Sequence, residues 1–160
     1  MDAIDPNASE GPTESDTVAL QTFHQQMTAL AAGELDTYMG FYREDVIARD
    51  PQYLDPLQGP AAVREDLDGL FTAYPDGRFE IHRVLGQGDV VAAELVFTGS
   101  NTGPLVLPDG TTVPPTGRPV RFPLSVFNRM DADGQILEEN RYYDLASIIQ
   151  QLEVDGTTEW

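Results

Sequence analysis

Asp144 has the setting expected of a catalytic carboxylate. It ends the segment QILEENRYYD, where strand alternation places it on one face with Ile136, Glu138, Asn140 and Tyr142. If that face lines a cavity, its apolar surroundings would make Asp144 a usable general base. An Asp that precedes an apolar helical stripe can equally serve as a helix N-cap, and the two roles are compatible.

Three further polar residues lie on otherwise apolar strand faces. Asp50 follows Val46 and Ala48 on one face, but it also precedes a proline, which is typical of a turn. Asn128 alternates with apolar residues along its strand. A polar group buried on such a face needs a partner, a ligand or water. Glu94 has a similar position and could instead pair with an Arg.

Cysteine and histidine content limits the possible chemistry. The chain contains no Cys, which excludes thiolate catalysis and cysteine-ligated metals. Its two histidines, His24 and His82, fall on distant predicted elements, whereas a metal site needs three or more converging ligands. His82 is expected on the surface or at a dimer face. We therefore predict neither a metal nor a cofactor.

Hydrophobic spacing predicts helices in the first half of the chain. Apolar residues at helical spacing indicate a first helix from Asp16 to Gly33, a short second helix over 35–42, and a third that begins at Gly59 and Pro60. In the third helix, the charged run REDLD (64–68) is expected on the solvated face.

A period of two then predicts strands. A short strand is expected over 45–50, and four longer ones in RFEIHRVL, DVVAAELVFTG, RPVRFPLSVFNRM and QILEENRYYD. Pro119 and Pro123 indicate that their strand begins irregularly or lies at an edge there. The Pro- and Gly-rich stretch 100–117 is predicted to be a lid or a dimer arm, whose Leu105, Val106 and Leu107 should cover something. A short helix should follow Asp144.

This order predicts an α+β fold in which a curved antiparallel sheet wraps the N-terminal helices into a cone and leaves a pocket open. The domain is expected to span 17–153, between a disordered acidic tail over 1–16 and a short tail over 154–160. An outer sheet face carrying Ile81, Val91, Leu95 and Phe127 would favour a homodimer.

The large negative charge of the chain argues against anionic binding partners. The chain of 160 residues has 27 acidic and 9 basic residues, all of them Arg, for a formal charge of -18. Such a surface repels nucleic acid and anionic membranes, and it is typical of proteins that work at high salt. No apolar run is long enough to span a membrane, and the N-terminus does not read as a secretory signal, so we expect a cytoplasmic protein.

Several segments together resemble the SnoaL-like polyketide cyclases, also called ester cyclases, of the nuclear-transport-factor-two superfamily. They are AYPDGRFEIHRVLGQGDVVAAELVFTGSNTG, PPTGRPV and DGQILEENRYYDLASIIQQL. The resemblance runs from about Val18 to Leu152, and it implies the same cone-shaped fold.

The resemblance also implies a reaction. In the cyclases, a pocket carboxylate serves as acid and base in an intramolecular aldol ring closure on a hydrophobic carbonyl compound, without metal or cofactor. Asp144 corresponds to that carboxylate. In GSNTG, Asn101 stands where many relatives carry His, and an amide can donate a hydrogen bond but cannot exchange a proton near neutral pH.

We expect Asn101 or Asn128 to hold the enolate oxygen, and Asp50 to lie near the pocket. The candidates for an apolar wall are Tyr42, Phe71, Tyr74, Phe97 and Tyr142. Two alternatives remain open: a small-molecule-binding homodimer without chemistry, or an isomerase or hydrolase that uses one Asp base.

Overall fold

The computed structural model describes residues 14–153, which form four helices and eight strands. In chain order the elements are α1 (Glu14–Ala31), α2 (Leu35–Met39), β1 (Tyr42–Arg49), β2 (Leu57–Gln58), α3 (Gly59–Ala73), β3 (Arg78–Gln87), β4 (Val90–Ser100), β5 (Leu105–Val106), β6 (Thr112–Val113), β7 (Pro119–Met130), β8 (Ile136–Tyr142) and α4 (Leu145–Leu152). The predicted elements are all present. Most of both expected tails, residues 1–13 and 154–160, lies outside the described residues, and α1 already begins at Glu14.

Six strands form one sheet in the order β2-β1-β8-β7-β4-β3, and β5 and β6 form a separate small hairpin. The large sheet is antiparallel except where β1 runs parallel to β8. The helices α1 and α3 pack against β3, β4 and β1, and α4 packs against β7. The result is the expected α+β fold, with helices covering the inner face of a curved sheet.

The prolines of β7 lie where this central strand has one free edge. β8 pairs only with Ser125–Met130, so the first half of β7 has β4 on one side and no strand on the other. There the Gln151 side chain of α4 bonds both backbone groups of Arg121, accepting from N at 2.7 Å and donating to O at 3.0 Å. The predicted edge position of Pro123 is therefore confirmed, and α4 closes that edge.

A β-bulge changes which residues of β8 face inward. Arg129 pairs with Glu138, but the next residue, Met130, pairs with Ile136, so Leu137 is an extra residue in β8. Such an insertion shifts the alternation of side chains by one position. The inner face of β8 therefore carries Glu139 and Arg141 rather than Glu138 and Asn140, as predicted from simple alternation.

The outer apolar face also differs from the prediction. Val91 and Leu95 are buried on the inner side of β4, and Ile81 pairs opposite Leu95. Phe127 is exposed on the outer face as predicted, and Leu85 and Tyr142 are exposed there with it. The rings of Phe127 and Tyr142 meet edge to face, with their centroids 5.9 Å apart.

Asn101 anchors the stretch 100–117 to the body of the fold. Its Nδ2 donates to the carbonyls of Ala73 and Gly103, and its Oδ1 accepts from the N and Oγ1 of Thr116, all within 3.2 Å. Gly103 lies so close to α3 that a Cβ there would be 1.7 Å from the Thr72 carbonyl oxygen. The loop is thereby fixed over α3.

Candidate functional site

A cavity of about 650 Å³ opens between the concave face of the sheet, the helices and the loop 100–117. This volume is typical of sites for small molecules. Most of the lining is apolar, with side chains from α1, α3, β7, α4 and the loop, among them Phe23, Leu70, Leu105, Phe122 and Ile149. The apolar centre of the loop therefore covers the cavity, as expected for a lid.

Charged side chains converge on one part of this lining. Arg141 bonds three carboxylates: Nη1 lies 2.6 Å from Asp66 Oδ2 and 3.1 Å from Asp50 Oδ2, and Nε lies 2.6 Å from Glu139 Oε1. The side chains are between 3% and 14% exposed. These four residues are called the Arg141 cluster below. One guanidinium facing three carboxylates gives it a surplus of negative charge.

Phenols and amides bond the remaining carboxylate oxygens. Tyr143 and the Gln52 backbone N–H donate to Asp50 Oδ1. Tyr53 donates to Asp66 Oδ1 at 2.8 Å, as does the Gln52 side chain at 3.3 Å. Tyr42 donates to Glu139 Oε2 at 2.7 Å and is itself 3.0 Å from the hydroxyl of Tyr38. All six carboxylate oxygens thus have donors.

Burial and charge keep these phenols protonated. Burial, followed by the adjacent Asp50 carboxylate, raises the pKa of Tyr143 far above its ordinary value. Burial and Asp66 do the same to the pKa of Tyr53, and burial and Glu139 to that of Tyr42. Burial alone would lower the pKa of Arg141, but its carboxylate partners outweigh it and raise that pKa well above its usual value.

Local sequence explains how the cluster is assembled. Asp50 comes at the end of β1, and the Leu137 bulge turns Glu139 and Arg141 inward. Asp66 lies four residues before Leu70 and three after Val63, so helical spacing places it on the inner face of α3. These three elements bring the charges together from distant parts of the chain.

The cluster also leaves a hydrogen-bond donor unused. Arg141 lines the cavity, and its Nη2 makes no hydrogen bond with the described residues. A guanidinium N–H beside carboxylates can hold a developing oxyanion while a carboxylate moves a proton. The arrangement is therefore capable of acid–base chemistry at a carbonyl group.

Comparison with known proteins places this fold in a family. A family model for the SnoaL-like polyketide cyclases matches residues 19–152. The chain belongs to the SnoaL-like polyketide cyclase family. No curated protein matches it.

Solved structures of SnoaL-like proteins share the fold. A provisionally assigned SnoaL-like polyketide cyclase from Jannaschia sp. CCS1 is 20% identical, with a TM-score of 0.78, over 91% of this chain and 98% of that one. IdmH from Streptomyces antibioticus, provisionally assigned as a polyketide cyclase, is 23% identical, with a TM-score of 0.67, over 85% and 99%. The epoxide hydrolase/cyclase-like enzyme SalBIII is 17% identical, with a TM-score of 0.69, over 84% and 97%.

Asp144, the predicted base, does not lie in the cavity lining of this SnoaL-like chain. Its side chain is exposed and accepts a hydrogen bond from the Ser147 backbone at 3.2 Å, as the N-cap of α4. The expected inward orientation is wrong because the bulge at Leu137 reverses the parity of β8. Its capping role is the one that the geometry provides.

The other predicted residues divide between the cavity and its surroundings. Asp50, Asn128 and Tyr74 contribute to the lining. Asn101 is fully buried with both amide atoms bonded, so its position fixes the loop and leaves no donor for an enolate. The remaining predicted wall residues are outside the lining: Phe97 and Phe71 pack in or against the core, Tyr42 lies behind Glu139, and Tyr142 is on the outer face.

Sequence reasoning missed Asp66, Glu139 and Arg141. Asp66 was assigned to a solvated charge run, although its spacing from Val63 and Leu70 was a usable signal. For Glu139 and Arg141 no such signal existed, because their inward position depends on the bulge. Glu94 is exposed, and its Oε2 lies 3.7 Å from Arg83 Nε. This agrees with the predicted alternative that Glu94 pairs with an Arg.

The described residues contain neither a metal-binding cluster nor a membrane-spanning helix. Across 14–153, no group of three or more His, Cys, Asp or Glu side chains is arranged to hold a metal ion. His24 and His82 are both exposed. None of the helices in this part of the chain combines the length and apolarity needed to cross a membrane.

Proposed function

We propose that this SnoaL-like protein is a cofactor-independent cyclase that closes a ring in a hydrophobic carbonyl compound by an intramolecular aldol-type reaction. The observation that carries this proposal is the Arg141 cluster, which combines carboxylates with an unused guanidinium donor in the wall of an apolar cavity. Family membership supports the reaction class, and the volume of about 650 Å³ lies in the range of small-molecule sites.

Asp66 is the proposed acid and base. Of the three carboxylates it has the most exposed side chain, 11% against 3% and 5%, and it projects from a regular helix. It would remove a proton from the carbon next to the carbonyl. The resulting enolate carbon would attack a second carbonyl of the same molecule, and protonated Asp66 would return the proton to the new alkoxide. The step is an isomerisation that needs no oxidant or reductant.

Arg141 is the proposed oxyanion donor. Its Nη1 and Nε are committed to carboxylates, which fix the guanidinium plane, whereas Nη2 makes no hydrogen bond with the described residues. A fixed donor aimed at the developing charge stabilises the enolate more than a mobile one would. Asp50 and Glu139 then serve to position Arg141.

A non-catalytic binding protein is the second candidate, and one observation favours it. All six oxygens of Asp50, Asp66 and Glu139 already have donors, so the cluster is also complete as a structural unit. In that case the cavity would bind its ligand without converting it.

Exchange of carbon-bound protons distinguishes the two candidates. In deuterated buffer, the wild-type protein should accelerate deuterium uptake into the methyl group of acetylnaphthalene, followed by mass spectrometry. Asp66→Asn should lower this rate by about 100-fold or more, the usual contribution of a general base. Asp68→Asn is the matched control, because Asp68 is in the same charged run but pairs with Arg64 at the surface. Binding without any exchange would favour the non-catalytic protein.

A homodimer remains part of the proposal. Leu85, Phe127 and Tyr142 are 61%, 44% and 59% exposed on the outer sheet face, and a second copy of the chain would cover them. Light scattering should give twice the chain mass for the wild type and a monomer for Phe127→Glu. A monomeric wild type at high salt would contradict this part.

A further inference from the structure

A second hollow, separate from the main cavity, lies on the outer side of the sheet where β3, β4 and β7 run side by side. Its volume is about 610 Å³, and among the described residues the two linings have no member in common. Phe97 of β4 is buried in the core, so strand alternation turns its neighbour Thr98 outward, into this hollow. The Gln151 side chain of α4 forms one side of it. We call it the Arg78–Arg121 groove, after the two arginines in its lining.

The two arginines flank Thr98 in one row across three strands. Arg78 of β3 and Arg121 of β7 each lie directly opposite Thr98 of β4. Neighbouring strands are about 4.8 Å apart, so the row spans only two such steps. Arg78 Nε donates to Thr98 Oγ1 at 3.2 Å, which places its guanidinium over β4, the strand next to Arg121. Because Thr98 accepts this bond, its hydroxyl proton is free to donate.

Neither guanidinium has a carboxylate partner, although the chain is rich in carboxylates. The chain has 27 acidic residues and nine arginines. Six of the arginines form ion pairs with Asp or Glu. Arg78 and Arg121 are among the three that form none within residues 14–153. Asp76, the acidic residue of the groove lining, instead accepts a hydrogen bond from the Ser100 backbone N–H at 2.7 Å.

The chemistry of these groups identifies a complementary ligand. Two guanidinium groups and a hydroxyl offer donors to an anion from three sides, and a guanidinium fork matches phosphate geometry. A phosphate group has three terminal oxygens and nearly two negative charges at neutral pH, whereas a carboxylate has two oxygens and one charge. Large polyanions are disfavoured by the formal charge of -18 on the chain, so the phosphate is expected on a small molecule.

We propose that Arg78, Thr98 and Arg121 form a second binding site, which takes the dianionic phosphate group of a small molecule. The guanidinium groups and the Thr98 hydroxyl donate to its terminal oxygens. Gln151 supports the site by bonding both backbone groups of Arg121. Inorganic phosphate and a small phosphate monoester share this chemistry. The inference does not rest on the proposed function, because the groove and the main cavity are lined by different residues.

Titration of 15N-labelled protein near neutral pH and at constant ionic strength, followed by NMR, tests this site. Inorganic phosphate and phenyl phosphate should each shift the amide signals of Thr98 and Arg121 saturably. Arg78→Gln and Arg121→Gln should each raise the Kd by about tenfold or more, because each removes a charge-assisted hydrogen bond. Arg49→Gln is the matched control: Arg49 is also exposed and without an ion pair, but it lies outside the groove lining, so its loss should leave the Kd within about twofold.

The two probes distinguish the two sources of phosphate. Tighter binding of phenyl phosphate would identify a phosphate monoester, because only its ring can fill more of the groove. Equal or tighter binding of inorganic phosphate would identify the free ion. Benzoate carries a carboxylate on the same ring and should bind more weakly than phenyl phosphate by about tenfold or more.

Several results would overturn the proposal. Shifts confined to residues outside the groove would do so, as would an equal loss of affinity in Arg49→Gln and the two groove variants, which would indicate a general effect of charge. If phosphate did not bind and the groove variants dissociated a dimer, the arginines would instead pair with a second copy of the chain. Proton exchange on acetylnaphthalene should be unchanged in both groove variants, so failure of the phosphate site and failure of the proposed cyclase are measured independently.

Discussion

Replacing Arg141 by Met removes the cation that holds Asp50, Asp66 and Glu139 together. The guanidinium makes three charge-assisted hydrogen bonds, two of them at 2.6 Å, and the carboxylate side chains are only 3% to 11% exposed. Removing one partner of a buried ion pair costs about 3–5 kcal/mol, because the other charge is left uncompensated. With three carboxylates stranded, the upper end of that range is expected, about 5 kcal/mol.

Urea unfolding followed by far-ultraviolet circular dichroism measures this loss. For a domain of this size, about 5 kcal/mol corresponds to a Tm lowered by about 10–20 °C.

Two comparisons test the reasoning. Arg129→Met removes an exposed, solvent-screened pair with Glu138 and should leave the unfolding free energy close to that of the wild type. Arg141→Lys keeps the charge but cannot bond three carboxylates in a fixed fork, so its stability should lie between wild type and Arg141→Met. If Arg141→Met lost less than about 1 kcal/mol, the cluster would not be an electrostatically coupled unit.

Three further predictions concern the loop, the cap of α4 and the phenols. Asn101→Ala removes four hydrogen bonds and should lower the unfolding free energy by about 3 kcal/mol. It should also speed amide hydrogen exchange in residues 100–117, and unchanged exchange there would contradict the anchoring role. Asp144→Ala removes the N-cap of α4 and should lower the unfolding free energy by only about 1 kcal/mol. The rate of proton exchange on acetylnaphthalene should be unchanged, and loss of that activity would identify Asp144 as the base. Burial raises the pKa of Tyr74 to about 12 and those of Tyr38, Tyr42, Tyr53 and Tyr143 further still, so absorbance near pH 11 should show these five phenols protonated in the folded protein. Because these phenols have a higher pKa in the folded protein than in the unfolded chain, their contribution to the unfolding free energy is complete below about pH 10 and is lost as pH rises above it. Ionisation of all five phenols near pH 10 in the folded protein would refute the buried network.

Local pattern was sufficient for the elements of the fold. The apolar spacing of α3 and the alternation of β4 and β7 each reflect one buried face, which a sequence displays directly. The parallel pairing of β1 with β8 was not predicted, because pairing joins residues far apart in the chain.

The candidate site was harder to predict for a physical reason. A single extra residue, Leu137, decides whether Arg141 or Asp144 faces the cavity, and strict alternation does not reveal such a bulge. Asp50 was found because simple alternation holds from Val46 through Ala48 to Asp50, and all three are buried. Asp66 could have been predicted from its helical spacing to Val63 and Leu70, but the charged residues next to it in sequence indicated a solvated face instead.

The helix α4 has two structural roles, and a truncation that removes the helix removes both. Ile148, Ile149 and Leu152 form part of the cavity wall, while Gln151 occupies the unpaired flank of β7. A chain that stopped at Asp144 would open the binding chamber and at the same time offer a bare strand to any neighbouring molecule. Such a protein should self-associate through that strand, so loss of ligand affinity and onset of aggregation would appear together.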